Sequence, residues 1–312
     1  MSEREIRRAA VIGTGTMGPG MGAVLERAGL AVALYDVSEE ALERARQGVE
    51  RAGGVLERLG AEPTKGGELR FEADLPAALE GAEIVLEAVP EKLELKRKVF
   101  ADFERHVAST AVLASNTSGI PITKIAAGLD HPDRVIGMHW SNPPHLIPMI
   151  EVIPGERTSA DAIEAAKALV DRIGYYPSLL RKEVPGFVEN RVLYAIMREC
   201  LALVDEGVID ADELDLNVKW GIGYKLAVIP PMQLLDVAGL DIYESVAGYL
   251  NSELSSEPGV SETITKLTDE GKLGLKTGGG LFQYSEEELA ELPARRAAAL
   301  VAVRKTLDGQ DV

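Results

Sequence analysis

The hexapeptide GTGTMG, Gly13 to Gly18, constrains this chain more than any other stretch. An apolar run, Ala9 to Ile12, leads into it, and a helical pattern, Met17 to Ala28, leads out. A second apolar run, Ala31 to Tyr35, ends at Asp36, 23 residues after Gly13. Strand, glycine turn, helix and strand in that order build the first unit of a dinucleotide-binding fold. Gly13 permits the tight turn, Gly15 lets backbone approach a pyrophosphate, and Gly18 lets the helix pack close. Thr16 and Met17 complete the loop. The helix N-terminus then faces the phosphates. A carboxylate at Asp36 accepts ribose hydroxyls and repels a 2′-phosphate, so the expected cofactor is NAD rather than NADP.

The same alternation continues. Glu83 to Ala88, Ala111 to Ala114 and Arg134 to Met138 are further strand candidates, and Glu39 to Leu59 is a charged amphipathic helix. Such a pattern predicts a doubly wound parallel sheet covered on both faces. At Pro185 the texture changes to helix. Leu193, Met197, Cys200 and Val204 recur on one face, and helical patterns follow at Ala211 to Trp220, Pro231 to Ser252 and Val260 to Glu270. The expected organisation is a Rossmann domain over 1–184 and an all-α domain over 185–312.

Bulk properties exclude several classes. The 312 residues carry a formal net charge of -17, which disfavours nucleic acid as a partner. No apolar run approaches the roughly 20 residues of a membrane span, and the N-terminus shows no leader pattern, so a cytoplasmic protein is expected. One cysteine, Cys200, allows no internal disulfide. The four histidines show no ligand spacing, so no metal is implied. Cys200 lies among apolar neighbours and reads as a core residue.

Chemistry concentrates in GMHWSNPPHLIPMIEV. His139 follows the strand RVIGM, at the sheet edge where open α/β folds place ligands. A lone strand-end histidine is more often structural, yet histidine is the common general base near neutral pH. Glu151 lies among apolar neighbours, where a charge needs a partner unless it faces solvent from an edge strand. A carboxylate in reach of an imidazole holds its tautomer and stabilises its protonated form. Ser118, in SNTS, ends another strand. It can donate to a substrate oxygen or cap a helix. Asn190, in PGFVENR, can polarise a carbonyl or bond across a domain boundary.

These motifs in this order resemble the L-3-hydroxyacyl-CoA dehydrogenase family. The signposts are GTGTMG, EAVPE, SNTS, the G-x-H-x-x-N-P block at Gly137 to Pro143, MIEV, PGFVENR and LGLKTGGGLF. The resemblance implies NAD as oxidant and a helical C-terminal domain that forms a homodimer. It also implies His139 as base, Glu151 as its partner, and Ser118 and Asn190 as substrate-oxygen contacts. Glu91, Lys96, Asn142 and Lys276 match its cofactor-contacting positions.

The expected activity is oxidation of a 3-hydroxyacyl-CoA, or a related 3-hydroxy acid, to the 3-oxo product, as in fatty acid metabolism. The text HWSNPPHLIP departs from the acyl-CoA pattern of two aromatics after the histidine. It is more similar to the lambda-crystallin and gulonate dehydrogenase branch, and to a bacterial dehydrogenase of pyridoxine breakdown that oxidises a pyridine-carboxylate aldehyde. Oxidation of a small carboxylated aldehyde is therefore the alternative. A non-catalytic, crystallin-like NAD-binding protein is the alternative of another class. The β-hydroxyacid dehydrogenase and imine reductase group shares the two-domain plan, but its interdomain lysine has no clear counterpart in PGFVENRVLY.

Overall fold

The computed structural model describes residues 5–309. The chain divides into two compact units, Met1–Arg191 and Val192–Val312. The first is an eight-stranded sheet flanked by helices. Its strands are β1 (Arg8–Ile12), β2 (Ala31–Tyr35), β3 (Glu68–Glu72), β4 (Ile84–Glu87), β5 (Val112–Ser115), β6 (Val135–Trp140), β7 (Met149–Pro154) and β8 (Tyr176–Leu179). The spatial order is β3-β2-β1-β4-β5-β6-β7-β8. Neighbours are parallel except β6 and β7, which run antiparallel.

Period-two alternation sends the apolar strands into two cores. Along β1, Ala9 and Val11 face one layer, and Ala10 and Ile12 the other. The first layer is covered by α1 (Gly18–Arg27), α2 (Glu39–Arg58) and α6 (Ala160–Arg172), through side chains such as Leu25, Leu56 and Leu169. The second is covered by α3 (Leu75–Leu79), α4 (Leu93–His106) and α5 (Ile122–Ile125), through Leu79, Phe100, Phe103 and Ile125. Both faces of the central strands are dry, as a parallel sheet requires.

Absent from the strands read in the sequence are β7, which entered only as the apolar run around Glu151, and the two outer ones, β3 and β8. The ELRFE and YPSL sequences of β3 and β8 are exposed or half-buried throughout and lack a continuous apolar run. β6 runs further than RVIGM, so His139 lies within the strand rather than after it. The solvent-facing alternative for Glu151 does not hold: it is 1 % exposed, in the middle of β7.

The helix α7 (Glu189–Asp205) begins in the first unit. In the second unit follow α8 (Ala211–Asn217), a π-wound segment Val218–Gly223, α9 (Tyr224–Leu226), α10 (Pro231–Ala238), α11 (Leu240–Leu250), α12 (Glu262–Asp269) and α13 (Glu286–Asp308). The single helix expected over Pro231 to Ser252 is two, because Gly239 between them adopts φ 96°. Ser285 and Glu288 close a reciprocal capping box that starts α13. The expected core face of α7 is open: Leu193 is 41 % and Met197 45 % exposed, and Cys200 is half-buried. Among the described residues no helix is long and apolar enough to cross a membrane.

The glycine turn depends on contacts that sequence spacing only implied. Gly13 takes φ +103°, and its amide donates to the Tyr35 carbonyl at 2.9 Å. A Cβ on Gly18 would lie 2.1 Å from the Gly13 carbonyl oxygen, whereas one on Gly15 would meet nothing within 4 Å. Gly18→Ala should therefore cost about 1–3 kcal/mol of stability through overpacking. Gly15→Ala should stay within about 0.5 kcal/mol. Denaturant melts of the two variants check the difference.

Candidate active site

Antiparallel pairing of β6 with β7 places His139 directly opposite Glu151. Facing residues in such a pair bring their side chains together on one side of the sheet. Here the imidazole Nδ1 lies 2.8 Å from Glu151 Oε2. An ionised carboxylate can only accept, so Nδ1 carries the hydrogen and Nε2 is left with a lone pair. That is the tautomer a general base needs.

The other oxygen of Glu151 is also taken. Oε1 accepts the amides of Val188 at 2.8 Å and Glu189 at 3.1 Å, the residues that open α7. Burial pushes the Glu151 carboxyl up. The His139 hydrogen bond and the two amides outweigh it and hold the group below the ordinary carboxylate range. The preceding turn delivers those amides. Gly186 has φ 75° and Phe187 φ 49°, a left-handed conformation that is uncommon for a non-glycine residue. The Phe187 ring is fully buried, and its centroid lies 5.8 Å from that of His139.

The SNTS segment closes round the same place. Asn116 Oδ1 accepts the Trp140 amide at 2.8 Å, tying the loop to β6. Asn190 Nδ2 donates to the Ser118 carbonyl at 3.1 Å, so the structure brings these two expected substrate contacts together. Glu91 Oε1 accepts the Thr117 hydroxyl at 2.5 Å and the Ser118 amide at 3.0 Å. Burial would raise the Glu91 carboxyl, but these donors and Lys96 hold it below its usual range.

Lys96 is fully enclosed. Its ammonium contacts Glu87 Oε1 at 2.7 Å, Glu87 Oε2 at 2.9 Å and Glu91 Oε2 at 3.2 Å, and the residue is 1 % exposed. Three donors thus meet three carboxylate oxygens. Glu87 also takes the Ser115 hydroxyl at 2.6 Å and the Val89 amide at 2.7 Å. In this geometry Lys96 fixes Glu91 and the SNTS loop instead of reaching outward. Asn142 and Lys276 are exposed, Lys276 in the second unit.

The nucleotide loop has the features an anionic ligand requires. No side chain caps the N-terminus of α1, and its first turn holds no acid. The space before Gly15 is open. Asp36 Oδ2 accepts the Thr14 amide at 2.9 Å and hydroxyl at 2.8 Å, which fixes the acid at the end of β2 beside the loop. These residues fit a dinucleotide.

His139, Glu151 and Glu189 each offer a ligand atom, all within 4.8 Å of one another. Hydrogen bonds take His139 Nδ1, both oxygens of Glu151 and one oxygen of Glu189, through one another, the two amides and Ser141, an arrangement suited to handling a proton. Sequence reasoning passed over Ser141, Phe187, Glu189 and Glu87. The only signal for Glu87 was an acid inside the apolar EIVLEA, the same signal that marked Glu151.

Two stability predictions follow from the buried charges. Lys96→Met leaves Glu87 unpaired in a dry interior and should cost about 3–5 kcal/mol, much of it regained on adding Glu87→Gln. Equilibrium denaturation measures both. Glu151 is depressed on folding, so its contribution is complete above its unfolded value of about 4.3 and drains as pH falls through the folded value. Glu151→Gln should therefore be clearly less stable than the parent chain at neutral pH. Denaturant curves at a series of pH values should show the gap closing in acid.

Comparison with known proteins gives the family. The model of the 3-hydroxyacyl-CoA dehydrogenase NAD-binding domain matches residues 8–184, and that of the family's C-terminal domain matches residues 186–284. The chain is 50 % identical over 308 residues to 5-formyl-3-hydroxy-2-methylpyridine 4-carboxylate 5-dehydrogenase of Mesorhizobium japonicum, covering 98 % of this chain and 100 % of that protein. A crystal structure of a 5-formyl-3-hydroxy-2-methylpyridine 4-carboxylic acid 5-dehydrogenase, described as an NAD+ dependent dismutase, superposes with a TM-score of 0.95 at 50 % identity, covering 98 % of this chain and 100 % of that one. L-carnitine dehydrogenase of Mesorhizobium japonicum is 35 % identical over 314 residues, 98 % of this chain and 85 % of that protein. The chain belongs to the 3-hydroxyacyl-CoA dehydrogenase family and is an NAD-dependent oxidoreductase.

Proposed function

We propose that this protein oxidises a small carboxylated aromatic aldehyde, of the pyridine-carboxylate class, with His139 as general base. The observation that carries the substrate class is 50 % identity sustained over the whole of a relative named for that reaction. From the sequence a 3-hydroxyacyl thioester stood first and the aldehyde second. The identity supports the reverse order.

The reactive form is the hydrated aldehyde, a gem-diol with the same O–H and C–H as an alcohol. Bound NAD supplies the hydride acceptor. His139 takes the hydroxyl proton at Nε2 as the C–H hydride departs, and the carboxylic acid is left. Ser118 and Asn190 are the groups this reading sets around the developing carbonyl. Glu151, held by two amides, stabilises the imidazolium. With an unhydrated aldehyde and the reduced cofactor, which would supply the hydride to the carbonyl carbon, the protonated imidazole gives its proton to the carbonyl oxygen and an alcohol is left. Glu91, fixed by Thr117 and Lys96, and the exposed Asn142 are the remaining residues of the first unit assigned to the cofactor. Asp36 is assigned to the ribose hydroxyls.

No thiol route competes. Burial pushes the Cys200 thiol up, and Asp215 and Glu199 push it further, so it is a poor nucleophile. The open apolar face of α7 suits the homodimer that the family resemblance implies.

The test sets a carboxylated pyridine aldehyde against 3-hydroxybutyryl-CoA, with NAD, and follows NADH together with acid and alcohol by chromatography. Acid from the aldehyde, with no turnover of the thioester, is the expected result. Turnover of the thioester alone would overturn the reading. His139→Ala should lower kcat by about 10² to 10⁴.

A further inference from the structure

Glu189 occupies a position that the sequence marked only as the neighbour of Asn190. Its Oε2 accepts the Ser141 hydroxyl at 2.5 Å, across 48 residues of chain. Its amide is one of the two that hold Glu151. A Glu189 oxygen also lies within 4.8 Å of an imidazole nitrogen of His139 and of a Glu151 oxygen. Ser141 is buried, so the donor that restrains this carboxylate is itself fixed.

Two carboxylates this close repel unless each is satisfied. Glu151 takes the imidazole and two amides, and Glu189 takes Ser141. A proton arriving on His139 creates a cation that faces both. Two carboxylates are set against the imidazole, Glu151 from β7 and Glu189 at the start of α7. Phe187 adds an apolar wall on another side, and it excludes water that would screen these charges.

We infer that Glu189 is a second carboxylate partner of His139, a positioning residue whose charge, held by Ser141, stabilises the imidazolium formed when the base takes its proton. The inference rests on His139 acting as that base. It has a direct consequence for a site that works in both directions. Oxidation of the hydrated aldehyde starts from neutral imidazole, and reduction of an aldehyde starts from imidazolium. Glu189 stabilises the second form, the one that the reductive half-reaction uses.

The experiment uses the intact enzyme with NAD and compares Glu189→Gln with the parent chain. Glutamine keeps an oxygen for the Ser141 hydroxyl and removes the charge. The acid limb of kcat/KM for oxidation should move to lower pH by about one unit. The reductive rate at neutral pH should fall by up to about tenfold, following the smaller imidazolium population. NAD affinity, from fluorescence quenching, should not change. Ser141→Ala frees the carboxylate from its restraint and should move the limb in the same direction, and it decides the matter if Glu189→Gln does not fold. An acid limb left in place, with or without a loss of kcat, overturns the inference and leaves Glu189 a structural residue. His139→Ala is run alongside. If that variant is inactive while the limb stays put, only the Glu189 inference fails. If it turns over freely, the base assignment itself fails.

Discussion

The carboxylate of Glu151 is the group on which the site depends. It sits 1 % exposed in the middle of a strand, where an unsatisfied charge would be expensive. Three donors remove that cost: the imidazole across the β6–β7 pair and two amides from the start of α7. Each donor comes from a different structural decision. The reversal of strand direction at β7 sets His139 opposite Glu151. The left-handed turn at Gly186 and Phe187 aims the amides. Strain at Phe187 persists because its ring is fully buried beside the imidazole.

The fold was legible wherever burial was two-sided. β1, β2, β4, β5 and most of β6 read as apolar runs because helices cover both of their faces. β3 and β8 did not, because an outer strand meets solvent and its sequence is free to carry charge or proline. In the second unit, periodicity located helices but not their breaks. Gly239 interrupts a continuous apolar pattern by taking a positive φ, and composition does not reveal that choice.

The candidate site was legible in its motifs and less so in its partners. His139, Glu151, Ser118, Asn190 and the glycine loop could be named from residue type, spacing and resemblance. Glu87 and Glu151 look alike in sequence, each a lone acid in an apolar strand. What separates them is a partner that spacing alone does not identify: Lys96 reaches back from α4 to one, and His139 faces the other across the sheet. Lys96 matched a cofactor-contacting position, yet its ammonium is enclosed by carboxylates. Glu189 gave no signal because PGFVENR draws attention to its asparagine.

The contrast between the two buried acids also shows why only one of them suits the proposed role of supporting a base. Glu87 is matched by a full positive charge, so little of its field is left for anything else. Burial raises its carboxyl against the pull of Lys96, and the pair serves the fold. Glu151 is satisfied by neutral amides. Amide dipoles settle its lone pairs and offset its desolvation without cancelling its charge. The negative charge therefore remains available to the imidazole on the other side. A lysine in place of those amides would hold the strand equally well and would oppose protonation of His139. Neutral donors on one side of a carboxylate, and a proton-accepting ring on the other, are what turn a buried acid from a structural element into a partner for chemistry.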